Sequence, residues 1–189
     1  GSSAVYSTVL GHRCLRMNYA WLTTSRVTNL NTYTFAVFVS FTCPDGVDGF
    51  CNVFCKPDGT LVASSPIAGR WRWALNLLGW NDSALDSGVD SSLAATSVVT
   101  VGVRYESGQS ATSTRMTMIT SPDNTLRVVT IPLKSQILMS YANTNYFRIG
   151  NYDALVRLAV YEFRLYTDAL TNDEMLSIHE DLRTKWAPR

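Results

Sequence analysis

The sequence predicts an all-β protein, an antiparallel sandwich of two sheets closed by one short C-terminal helix. Three observations predict it. Runs rich in β-branched and aromatic residues recur at short spacing, each bounded by Gly, Pro, Asn, Asp or Ser. Almost no helical periodicity lies between them, which argues against crossover helices and a parallel sheet. The stretch "YEFRLYTDALTNDE", residues 161–174, alternates like a strand in its first half and carries a helix start signal in its second.

The elements follow in order. "YTFAVFVSFTC", from Tyr33 to Cys43, reads as a strand buried on much of both faces. "CPDGVDG" is turn chemistry, and "FCNVFC" returns as a strand, so the two are expected to form a hairpin around a six-residue loop. After the "KPDGT" turn, "TLVASSP", "RWRWALNLLGW", "SVVTVGVRYES", "RMTMITS", "TLRVVTIPL" and "NYFRIGN" continue the series. "RMTMITS" sets Met116, Met118 and Thr120 on one face and Arg115, Thr117 and Ile119 on the other, a pattern that suits a sheet packed on one side.

In the last strand Val156, Leu158 and Val160 share one face, and Ala159, Tyr161, Phe163 and Leu165 the other, so the strand is expected to be central. Thr171 and Glu174 then form a capping box, in which a hydroxyl accepts a free helix N–H and a carboxylate reaches back. Met175, Ile178, His179, Leu182 and Trp186 follow at helical spacing, giving one face to lie on the sandwich. Arg183 and Lys185 complement the helix C-terminus, and Pro188 blocks continuation.

At 189 residues with 46% apolar side chains, the chain suits a single domain over 1–189. A net charge of +1 gives no electrostatic reason to expect a nucleic-acid partner or an anionic membrane. No apolar run approaches the roughly 18 residues of a spanning helix, so membrane insertion is not expected. Gly1-Ser2-Ser3 reads as a tag scar, and on that reading the chain is expected to be a piece of a longer protein.

Four cysteines, Cys14, Cys43, Cys51 and Cys55, fit buried thiols or two disulfides, with Cys43–Cys51 the first pairing to test across the expected hairpin. No C-x-x-C pair occurs, and His12 and His179 are far from the other cysteines in sequence, which disfavours zinc.

"FRIGNYDALVRLAVYEFRLYTDALTNDEM" resembles the C-terminal part of laminin-G-like jelly rolls of the concanavalin A-like superfamily. The residues that match are Ile149, Gly150, Val160, Glu162, Phe163, Arg164, Leu165, Tyr166, Ala169, Leu170, Thr171 and Glu174. "TYTFAVFVSF" is similar to an early strand of such domains, and "VVTVGVRYES" sits where they often carry "W-H-x-V-A-V-x-Y", here without the Trp-His pair. The resemblance implies a jelly-roll sandwich with Phe163 and Leu165 in its core and Glu162 and Arg164 on the opposite face. It spans lectins, protein-binding modules, glycan-cleaving enzymes and viral surface proteins, so it does not choose a function.

Hydrolytic members of this fold carry Glu-x-Asp-x-x-Glu on one strand face, and no such triplet occurs here. Glu106 and Glu162 stand on separate strands, and Glu162 reads as a structural partner of Arg164. His12 and Cys14 in "GHRC" are expected to diverge at a strand bend rather than to form a dyad. No phosphate-binding glycine loop is present.

For binding, "GRWRWALNLLGWND" is the most suggestive stretch. Trp71 and Trp73 share a strand face, while Trp80, Asn81 and Asp82 open the next loop, with Asn151 in "GNYDA" as a further polar candidate. Indole faces stack on sugar rings and amides and carboxylates bind hydroxyls, although alternating tryptophans on a strand also suit a core. Asn81-Asp82-Ser83 is a glycosylation sequon, relevant in a eukaryotic secretory context. No cofactor is required by any motif. The resemblance implies calcium as the one ion to consider, since such domains often hold it in edge loops, with Asp45, Asp48 and Asp153 as candidate ligands beside Asp82 and Asp86, and turn chemistry accounts for the same residues without it.

The sequence thus leads to a noncatalytic recognition module of an extracellular or virion-surface protein, with a glycan or glycoprotein as expected ligand. Oligomerisation is expected only through the parent protein. The alternatives are a protein-binding or oligomerisation domain without a sugar pocket, and a glycan-cleaving enzyme whose carboxylates come from separate strands.

Overall fold

The computed structural model describes residues 3–18, 20–25, 34–46, 52–56, 61–64, 70–74, 84–107, 113–132, 146–150, 157–168 and 170–187. They form β1 (Ser3–Val9), β2 (His12–Asn18), β3 (Trp21–Thr23), β4 (Thr34–Thr42), β5 (Asn52–Lys56), β6 (Leu61–Ser64), β7 (Arg70–Ala74), β8 (Ala84–Asp90), α1 (Leu93–Thr96), β9 (Val99–Ser107), β10 (Ser113–Thr120), β11 (Arg127–Pro132), β12 (Arg148–Gly150), β13 (Arg157–Tyr166) and α2 (Asn172–Lys185). One sheet has the order β1-β2-β13-β4-β9-β10-β11 and the other β3-β12-β5-β6-β7-β8. The predicted all-β, two-sheet antiparallel sandwich with one short C-terminal helix is what the chain forms.

The core lies between the sheets, and the period of two on each strand builds it. Phe35, Val37, Val39 and Phe41 of β4 meet Val99, Val101, Val103 and Tyr105 of β9 and Met116 and Met118 of β10, with Val53, Phe54, Phe147 and Ile149 from the facing side. The Phe35 and Tyr105 rings stack at 5.4 Å. The other face of the seven-stranded sheet is covered by α2, whose Met175 and Leu182 pack on Ala36, Phe38 and Ile119. That second layer is why β4 is buried on both faces, as expected. It also corrects the reading of β10 as packed on one side, because Thr117 and Ile119 are buried with Met116 and Met118.

α2 starts as its sequence dictates. The Glu174 amide donates to Thr171 Oγ1 at 3.2 Å, and the Thr171 amide donates to Glu174 Oε2 at 2.7 Å. Met175, His179 and Leu182 are buried on its sheet-facing stripe.

Strict alternation fails in β13. The register slips between Val160 and Glu162, so Tyr161 occupies a β-bulge. One extra residue reverses parity, and Leu158 and Val160 therefore share the core side with Phe163 and Leu165 instead of opposing them. Tyr161 instead sits beside the rings of His12 and Trp186, and its hydroxyl donates to the Val9 carbonyl.

The expected hairpin between "YTFAVFVSFTC" and "FCNVFC" is absent. β4 pairs with β13 and β9, whereas β5 pairs with β12 and β6 in the other sheet, so the link crosses from one layer to the other. Cys43 is buried, and Cys51, its expected partner, lies outside the described residues.

A hairpin that the sequence does not announce opens the chain. β1 and β2 are joined by Leu10 and Gly11 at φ 51° and 78°, with Val9 opposite His12. Two positive φ values in a two-residue loop are the primed turn that follows strand twist.

Candidate functional site

Among the sequence-predicted ligand residues, Trp80, Asn81, Asp82 and Asn151 lie outside the described residues, as do Asp48 and Asp153 of the calcium set. Trp71 and Trp73 fall on β7, an interior strand between β6 and β8. The register row through Trp73 runs across Ala63 to Phe54 and Ile149. Asp86 falls on β8, opposite Arg72, and not in a loop. Asp45 is exposed at a turn, where its carboxylate lies 3.4 Å from Arg157 Nη1 and 3.9 Å from Arg16 Nη2.

The two carboxylates weighed for hydrolysis are far apart and engaged. Ser40 of β4 stands opposite both Glu162 and Thr100, so Glu106 is six residues along β9 from the Glu162 row. At strand rise that is about 20 Å, well beyond the roughly 5–9.5 Å that glycoside cleavage uses. Glu162 accepts from Arg164 Nε at 2.7 Å, Lys185 Nζ at 2.7 Å and Trp186 Nε1 at 3.0 Å. Partial burial pushes its carboxyl up, but the hydrogen bonds from Lys185 and Arg164 outweigh that and hold it below the usual carboxylate range. Glu106 lies 3.0 Å from Arg104 Nε, whose buried guanidinium also donates to the Leu170 carbonyl at 2.6 Å.

His12 and Cys14 do not diverge at a bend. Both belong to β2 and both are buried, so their spacing of two places them on one strand face. Their hydrogen bonds nevertheless separate them chemically. His12 Nε2–H donates to the Ala187 carbonyl at 2.9 Å, and Cys14 Sγ donates to the Ser7 carbonyl at 3.6 Å. Burial pushes the Cys14 thiol up, ahead of the opposing influence of the Val9 backbone and Arg16, which is the reverse of nucleophile activation. His179, expected at the apolar edge of α2, is fully buried with Nδ1 2.8 Å from Asn124 Oδ1 and Nε2 3.3 Å from the Thr100 carbonyl.

Among the described residues, concave features that reach solvent include a smaller one of about 260 Å3 between Leu93, Pro122 and the end of α2, and a larger one at the sheet edge, where sequence reading placed nothing. A cleft of about 460 Å3 is lined by Tyr6, Arg13, Cys14, Leu15, Val160 and Tyr161. Tyr6 stands opposite Leu15, and antiparallel partners share a face, so its ring lies on the side of the sheet where Leu15 meets the core. Tyr6 as a residue is 76% exposed. Arg13, diagonal to it across the hairpin, sets its guanidinium carbon 5.1 Å from the ring centroid. An apolar floor, an exposed aromatic face and a cation can dock a ring-shaped polar ligand and have no arrangement for bond cleavage. The signal in the sequence is "SAVYSTV", an uncharged alternating run, but Leu-Gly is not a usual hairpin dipeptide and leaves the strand pair unmarked.

No protein-family model matches the chain, and no curated protein matches it. Solved structures match it in fold. The receptor binding domain of botulinum neurotoxin type G has a TM-score of 0.62 at 9% identity, over 96% of this chain and 47% of that one. The binding domain of botulinum neurotoxin DC, in complex with rat synaptotagmin II, gives 0.58 at 10% identity over 95% and 42%. The Ruminococcus gnavus IT-sialidase CBM40 bound to alpha2,3 sialyllactose gives 0.53 at 10% identity over 78% and 83%. The chain has the β-sandwich fold of these domains. It spans under half the length of the botulinum domains, and at such identity the likeness is one of architecture.

Proposed function

We propose that the chain is a noncatalytic recognition module that binds a carbohydrate at the β1–β2 edge. The observation that carries this reading is the three-quarters exposed residue Tyr6 above a cleft floored by Leu15 and Val160. An aromatic face left in water at a cleft wall is what a sugar ring needs for stacking. Glu162 and Glu106 are bound up in ion pairs on the helix side of the sheet, which supports binding over hydrolysis. The fold supports the same reading, since solved domains that share it are named for receptor binding or are bound to sialyllactose.

Within this reading the chain is a laminin-G-like or concanavalin A-like module of an extracellular or virion-surface parent, and its partner is a glycan or glycoprotein. Calcium is a ligand to test within this reading, with the sequence-predicted Asp48 and Asp153, which lie outside the described residues, and with Asp45 first having to leave its arginines. A protein ligand is the second reading, supported by β1, an edge strand without a charged residue that exposes Val5 and Tyr6.

A glycan-array screen, run with calcium and again with a chelator, tests the proposal. Saturable binding to a defined sugar that Tyr6→Ala abolishes without loss of folding is the expected result. A blank array from folded protein overturns it in favour of a protein partner, and chelator sensitivity adds the metal.

A further inference from the structure

The pairing of the arginines across the molecule bears on which sugar the cleft takes, a specificity that rests on the carbohydrate reading. Arg16 and Arg157 share Asp45, Arg104 is paired with Glu106, Arg127 with Asp123, Arg164 with Glu162 and Asp181, and Arg183 with Glu180. Among the described residues Arg13, Arg115 and Arg148 have no carboxylate partner, and of these Arg13 is the one that lines the cleft and is exposed there. It lies instead over the face of Tyr6, at 5.1 Å. Arg16, three residues along the same strand, and Arg157 on β13 divide one carboxylate between them on the opposite face of the sheet, so Arg13 is the cation on the cleft side.

A guanidinium laid over an aromatic ring is held by its face, while its N–H donors lie in its own plane and stay available. Their fork matches the two oxygens of a carboxylate. Stacking also removes part of the side-chain freedom that a lone surface arginine would lose on binding. A neutral sugar would use Tyr6 and leave that fork to water. The cleft volume of about 460 Å3 lies within the range of small-ligand sites.

We propose that the Tyr6–Arg13 cleft is a site for an acidic saccharide, with Arg13 taking the sugar carboxylate and Tyr6 and the Leu15–Val160 floor taking the ring.

Titration calorimetry with α2,3-sialyllactose, a glucuronic acid disaccharide and lactose tests this, on the native chain and on Arg13→Gln, Arg13→Lys and Tyr6→Ala. Both substituted side chains are exposed, and circular dichroism checks that each variant folds. At least one acidic sugar is expected to bind the native chain about tenfold or more tighter than lactose, the scale of a charge-assisted pair. Arg13→Gln is expected to erase that preference, Arg13→Lys to keep part of it, and Tyr6→Ala to weaken every sugar. Binding of both acidic probes identifies the carboxylate as the group that is read, and binding of sialyllactose alone narrows it to a sialic acid. Lactose binding as tightly as the acidic sugars, or a preference that survives Arg13→Gln, overturns the acidic-ligand proposal and leaves sugar recognition standing. Failure of all three probes together with a blank glycan array overturns both.

Discussion

Trp186 donates its indole N–H to Glu162 Oε2 at 3.0 Å, tying the C-cap of α2 to the bulged segment of β13. Lys185 reaches the same oxygen at 2.7 Å, and Arg164 joins Glu162 to Asp181 one turn earlier on the helix. A carboxylate that the sequence pairs with Arg164 is therefore also what pins the helix to the sheet. Glu162→Ala leaves a half-buried indole N–H and a guanidinium short of acceptors, and is expected to lower stability by about 1–3 kcal/mol. Thermal denaturation measures it, and any ligand binding should persist at temperatures where the variant is folded.

Acid should loosen the same layer from a second direction. Burial pushes the His179 imidazole down to about 4, against the pull of the Thr100 carbonyl, with Arg183 adding to the fall and Glu180 and Asp123 opposing it. The unfolded chain then takes up a proton near the ordinary value of 6.5 that the folded chain refuses. Stability is accordingly unaffected by this group above about pH 6.5 and falls on acidification, by roughly 3 kcal/mol by pH 4. Glu162, with its carboxyl held low, adds a loss that begins as pH falls through the ordinary carboxylate value and continues towards its lowered one. Chemical denaturation at several pH values should show the slope between pH 6.5 and 4, and His179→Gln should flatten it.

Gly102 is needed for want of space. A Cβ there would lie 2.3 Å from Phe38 Cε1 and 2.9 Å from Ile119 Cγ2, inside the layer beneath α2. Gly102→Ala should cost about 1–3 kcal/mol by overpacking, read as a drop in denaturation midpoint, and Phe38→Leu in the same chain should recover part of it.

The β1–β2 turn offers a gain. Leu10 holds φ 51°, a region that costs a side chain with a Cβ about 1 kcal/mol. Leu10→Asn makes the Asn-Gly pair such turns prefer, and should stabilise the fold by up to that amount in the same assay.

Much of the fold was legible because periodicity and punctuation are local. The β4 run, the β9–β10–β11 meander, the Thr171 capping box and the apolar stripe of α2 could be read from neighbouring residues alone. What failed depends on contacts made at a distance. The Tyr161 bulge reverses parity within a strand that looks regular, and no local signal marks the point where a ring must reach His12 and Trp186. β4 and β5 look like a hairpin because their loop is short, but β4 is claimed by β9 and β13, which lie far later in the chain. β8, "ALDSGVD", reads as a loop by composition and is held as a strand by β7. The proposed site was the least legible part. Tryptophans draw attention to β7, while the most exposed large apolar side chain among the described residues is Tyr6 of β1, beside Arg13 across a turn that lacks its usual residues.

The central claim, that the β1–β2 edge recognises a sugar without cleaving it, is tested most directly by an NMR titration of labelled protein with the strongest binder from the glycan array. Saturable amide shifts clustered at Val5, Tyr6, Arg13 and Leu15, with the sugar's anomeric signals unchanged over hours, are the predicted result. Shifts centred on β7, progressive loss of the intact sugar, or a folded chain for which no array sugar can be found would contradict it.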